Sequence, residues 1–96
     1  MNADFSSIHN YHEQAVYDAV MAHAAKFPLA ASSADLLADV ACIALNKLSP
    51  RYIRHQVDLA FYLTEKERDE NGHAIEQAVL SAFEFVQARR AMRARL

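Results

Sequence analysis

Apolar residues recur at helical spacing over three stretches of the chain. From Ile8 to Phe27, the residues Tyr11, Ala15, Val16, Ala19, Val20 and Ala24 line one side of an amphipathic helix that Pro28 ends. Asp4 or Ser7 is placed to cap its start. A short linker of small residues, Ala30 to Ser33, leads to a second helix that begins at Ser32 or Ser33 and runs to about Leu48. Leu36, Leu37, Val40, Ala41, Ala44, Leu45 and Leu48 give it a broad apolar face, and Ala41 and Ala44 permit close approach of another helix. Pro50 biases Ser49 away from helix and stops the element.

After Tyr52 the period changes. Val57, Leu59, Phe61 and Leu63 alternate with Gln56, Asp58, Ala60 and Tyr62, which predicts a strand. A lone strand leaves its backbone unpaired, so this one calls for the same strand of a second copy. Thr64 with Glu67 forms a capping-box pattern that restarts a helix. Asn71-Gly72 interrupts or weakens that helix. Ile75, Val79, Ala82, Phe83 and Val86 then mark a final amphipathic stretch. The fold class expected is mainly α: a small helical domain with one short strand segment, paired in a homodimer. One domain is expected over residues 1–96, with a loose amino terminus at 1–7 and a basic tail at 89–96.

Composition supports this reading. One Gly and two Pro leave little material for turns, which favours a few long elements over many strands. Cys42 is the single cysteine; it permits no intrachain disulfide or thiolate cluster and is expected to be a small buried hydrophobe. No apolar run is long enough to span a bilayer, and no secretory pattern opens the chain, so a cytoplasmic protein without membrane association is expected. Arg89, Arg90, Arg93 and Arg95 fall in the last eight residues. They complement the negative end of a helix dipole. The acidic remainder of the chain weighs against nucleic-acid binding.

Candidate chemistry is sparse. His9, His12 and Glu13 lie within about one helical turn, but their spacing matches no zincin pattern and no further ligands are evident, so no metal is expected. No serine sits in an elbow motif, and one glycine cannot build a phosphate loop. The chain is therefore read as a non-enzyme without a cofactor. Lys47, Arg51 and Arg54 cluster around the proline turn beside Tyr52. Two guanidinium groups and an aromatic ring there can grip phosphates and stack on bases; a solvated loop with Tyr52 packed into the core is the competing reading.

The run from Asp39 through Ala44-Leu45-Asn46 to Leu48-Ser-Pro50-Arg-Tyr52 resembles the hallmark of the late-competence ComFB family. Asn10-Tyr11-x-Glu13-x-x-Val16 is similar to its opening motif, and the helix through Val79, Ala82 and Val86 to its closing one. The resemblance implies a small helical dimer that receives a cyclic dinucleotide, cyclic di-GMP before cyclic di-AMP, and relays the signal to a partner protein. Many members carry a Cys-x-x-Cys pair that can bind zinc; Ser33 and Leu36 stand there in this chain, which excludes that site. On this reading Arg51 and Arg54 serve phosphates or a base face, Tyr52 stacks, and Lys47 and Asn46 complete the turn. Asp58 or Asp39 accepts from a guanine edge. Asp39 has a competing role in bonding backbone or Asn46, and Asn10 and Glu13 fit capping or contact better. The alternative function is a ligand-free homodimeric interaction or scaffold domain.

Overall fold

The structure, a computed structural model, describes residues 1–94. Helix α1 spans Glu13–His23 and continues as a 3-10 turn over Ala24–Lys26. Helix α2 spans Ala34–Asn46, a short helix α3 spans Gln56–Ala60, and α4 spans Glu65–Ala94. Two short strands, β1 (His9–Asn10) and β2 (Tyr52–Ile53), pair antiparallel with His9 opposite Ile53 and Asn10 opposite Tyr52.

The middle of α4 is the spine of the core. Ile75, Ala78, Val79, Ala82, Phe83 and Val86 form its buried stripe, with Val79, Ala82, Phe83 and Val86 fully enclosed. Their spacing of three and four residues keeps them on one face. Against it pack Val16 and Val20 of α1 and Val40, Ala41 and Ala44 of α2. Phe27 stacks on Phe83 with ring centroids 4.7 Å apart and planes 8° from parallel. Ala30 N–H donates to Gln87 Oε1 at 2.9 Å, fastening the α1–α2 connection to α4.

The helix boundaries follow local chemistry. Ser33 caps α2, its hydroxyl accepting from Leu36 N–H at 3.1 Å. Thr64 Oγ1 accepts from Glu67 N–H at 3.1 Å and starts α4. Gly72 lies inside that helix with open space where a Cβ would be, so Asn71-Gly72 passes through without a break.

Four expectations need correction. Residues 8–12 are not helical: His9 and Asn10 form β1, α1 starts at Glu13, and neither Asp4 nor Ser7 caps it. Asp4 Oδ1 instead accepts from Ser6 N–H at 2.9 Å, which holds its carboxyl below the usual range. Helix α2 stops at Asn46, two residues short of Leu48. Residues 57–63 form no strand, since Gln56–Ala60 is helical and Leu63 N–H donates to Leu59 O at 3.1 Å. Of the alternating set, Leu59 and Leu63 are buried while Val57 and Phe61 face solvent. The spacing that matters is the four residues between the two leucines, which a helical turn aligns as well as a strand does. The strand argument for a second copy falls with it, because the strand that does form pairs within the chain. Finally, Cys42 is exposed on α2.

Candidate functional site

The proline turn is held by Asn10. Its Oδ1 accepts from Arg51 N–H at 3.1 Å and from His12 N–H at 3.3 Å. Tyr11 N–H donates to Arg51 O at 2.7 Å, and Asn10 N–H reaches Glu13 Oε1 at 3.4 Å. Both backbone groups of Arg51 are therefore fixed, and its side chain is left free of that duty and exposed. Asn10 anchors the turn, and Glu13 accepts from the Asn10 backbone.

From this frame the cationic and aromatic groups project outward. Tyr52, on β2, is 68% exposed, which removes the reading in which it fills the core. Arg54 is exposed, and its Nε donates to Ser7 Oγ at 3.2 Å, leaving the terminal nitrogens available. Lys47 is the C-cap residue of α2 and is exposed. Asn46 ends α2 and donates to Cys42 O at 3.1 Å, so it does not bond Asp39. Asp58 lies in the first turn of α3, directly after β2, with its side chain exposed.

Asp39 belongs elsewhere. It precedes Asn46 by seven residues of helix, about 10 Å along the axis. Its Oδ2 lies 3.9 Å from Arg89 Nη2 of α4, and Arg89 also sits 5.6 Å from the centre of the Phe85 ring. Arg89, Arg90 and Arg93 extend α4, with Arg93 in its last turn where a cation complements the dipole; Arg95 lies outside the described residues. His9, His12 and Glu13 do not share a helix face, since His9 is in β1 with Nδ1 3.0 Å from the Ser7 carbonyl.

Three features escape the sequence pattern. Phe61 and Tyr62 are 82% and 75% exposed and, with Tyr52 and Val57, spread an aromatic and apolar surface over the β2–α3 segment. The period-two reading turned Phe61 inward and so hid this surface. Beside the turn, His12, Lys47, Leu48, Ser49, Asn71 and Ala74 line a pocket of about 310 Å³ that is open to solvent. His12 is only 7% exposed, and its Nδ1 is buried with no partner among the described residues. Burial, and then the positive charge of Arg51, lower the imidazole pKa. Between α1 and α2 lies an apolar groove of about 610 Å³, lined by Tyr17, Met21, Ala41, Cys42 and Leu45 and reaching Asn46 at the end of α2.

No helix among the described residues is long and apolar enough to cross a membrane. Comparison with curated proteins and with solved structures finds no match. The family model for the late competence development protein ComFB matches residues 9–90, from the strand that carries Asn10 to the closing helix, and the chain belongs to that family.

Proposed function

We propose that this protein is a non-enzymatic cytosolic receptor for a cyclic dinucleotide, cyclic di-GMP before cyclic di-AMP, that relays the signal to a partner protein. The observation that carries the reading is the turn at Arg51–Arg54. Its backbone is fixed by Asn10 while two guanidinium groups and the Tyr52 ring stand in solvent. A cyclic dinucleotide offers two phosphates and two flat bases, which such a set can pair with and stack upon. Asp58 follows closely enough on α3 to accept from a guanine edge, while Asp39, on α2, has Arg89 3.9 Å from its carboxylate. Fixing the turn in advance lowers the ordering cost of binding.

A homodimer completes the proposal, now on a different face from the one the strand pattern suggested. The Cα radius of gyration is 15.7 Å, against about 12.5 Å for a compact chain of this length. The groove between α1 and α2 leaves Met21 65% and Tyr17 43% exposed. A second copy seated there would cover apolar surface that the single chain leaves wet. Ligand would then act by favouring one dimeric or partner-bound state over another.

Calorimetric titration of cyclic di-GMP and cyclic di-AMP into the wild type and into the Arg51→Ala, Arg54→Ala pair tests the receptor. Saturable micromolar binding that the pair abolishes is expected. No binding by the wild type would leave the ligand-free scaffold as the surviving reading.

A further inference from the structure

The pocket beside the turn has a composition that the outward-facing arginines do not explain. Three separate segments build it: His12 at the start of α1, Lys47 to Ser49 after α2, and Asn71 with Ala74 on α4. Every polar side chain lining it can donate a hydrogen bond, through the imidazole, ammonium, hydroxyl and amide, and no carboxylate lines it. Leu48 and Ala74 supply its apolar wall. At about 310 Å³ it has room for some ten waters, at roughly 30 Å³ each, or for a tetrahedral anion with a few waters around it.

We propose that this pocket is an oxyanion site for a phosphoryl group, with Lys47 as the counter-charge and His12, Ser49 and Asn71 as donors. Two positive charges act on it, Lys47 at its edge and Arg51, whose field is felt at His12. Burial is the larger cause of the lowered imidazole pKa; the smaller one, the positive charge of Arg51, favours an anion beside the ring, and the neutral ring still keeps one N–H to donate. The amino-terminal end of the 11-residue α1 adds its positive dipole at His12. The carboxyl end of α2 acts in the opposite sense. It is blunted because Lys47 N–H and Leu48 N–H already bond the carbonyls of Ala44 and Leu45 at 3.1 and 3.2 Å. Lys47, on a flexible stem, can follow an anion into the pocket.

Free phosphate and the phosphodiester of a nucleotide both supply such a phosphoryl group; assigning it to a cyclic dinucleotide rests on the receptor reading, whereas affinity for the anion does not. Full-length protein labelled with ¹⁵N and titrated with inorganic phosphate, against sodium chloride of matched ionic strength, separates the two. Saturable movement of the Asn71 side-chain amide and the Ser49 backbone amide by phosphate alone is expected. Asn71→Asp, which places a carboxylate in the pocket with almost no change of shape, should abolish it, and Lys47→Gln should weaken it on the order of tenfold, as loss of a charged hydrogen bond does. Shifts confined to Arg51 and Arg54, or unchanged in Asn71→Asp, would overturn the site and leave a water-filled pocket. In the nucleotide arm, Asn71→Asp should weaken cyclic di-GMP at least tenfold by calorimetry. Equal binding by wild type and variant would overturn the assignment of the phosphodiester. Saturation by phosphate with no nucleotide binding by the wild type would uphold the anion site and refute the receptor.

Discussion

Asn10→Ala removes the acceptor that ties β1 to the proline turn. Two hydrogen bonds go with it, from Arg51 N–H at 3.1 Å and from His12 N–H at 3.3 Å. Each contributes about 0.5–1.5 kcal/mol, and the solvent-exposed end at Arg51 takes the lower part of that range. The expected loss is therefore about 1.5 kcal/mol. For a domain of this size that corresponds to roughly 6–12 °C in Tm. Asn10→Asp keeps an oxygen at the accepting position; its new charge sits near both Glu13 and Arg51, and it should remain within about 0.5 kcal/mol of the wild type. Urea unfolding of the three proteins at pH 7, followed by far-ultraviolet circular dichroism, measures both differences. An alanine variant as stable as the wild type, or an aspartate variant as weak as the alanine one, would refute the view that the side-chain carbonyl holds the turn.

Phe83→Ala removes a fully buried ring stacked on Phe27 and should cost about 3–5 kcal/mol, read from the urea midpoint. His12 has its folded pKa below its unfolded one, so its contribution is complete above the ordinary imidazole range and is lost as pH falls through that range toward the folded value. Urea midpoints between pH 7.5 and 5 should fall more steeply for the wild type than for His12→Asn, and equal slopes would count against the burial of a neutral ring. Cys42 is exposed beside the α1–α2 groove. Its labelling by a disulfide reagent should be fast in dilute protein and slow as concentration rises. A rate independent of concentration would remove that groove as the contact between copies.

Much of this architecture was legible in the order of residues. Val16 and Val20 of α1, Val40, Ala41 and Ala44 of α2 and the stripe from Ile75 to Val86 became core positions, whereas Ala15 is exposed; Ser33 and Thr64 start helices where their side chains can cap them. The segment after Tyr52 was misread because Leu59 and Leu63 satisfy period two and a spacing of four alike. Local pattern could not reveal that residues 9–10 would pair with 52–53, since that register depends on contacts some 40 residues apart. Exposure of Cys42 was illegible for a similar reason: α2 buries one stripe against α4, and Cys42 falls beside that stripe rather than on it.

At the candidate site, residue types told more than positions. Arg51, Tyr52 and Arg54 suggest phosphate and base chemistry from their kinds alone, and the structure sets them outward on one fixed segment. Asp39 lies on α2 with Arg89 Nη2 3.9 Å from its carboxylate, a neighbour that no local pattern indicates. His12, Ser49 and Asn71 had no common signal, because three elements far apart in the chain bring them to one pocket.

The central claim is that the turn from Arg51 to Arg54 grips a cyclic dinucleotide. A crystal structure of the protein grown with saturating cyclic di-GMP tests it most directly. The account predicts a base on the Tyr52 ring, with Arg51 and Arg54 at the phosphates or the other base face. Ligand lodged in the α1–α2 groove, or crystals that hold none at saturating concentration, would contradict it.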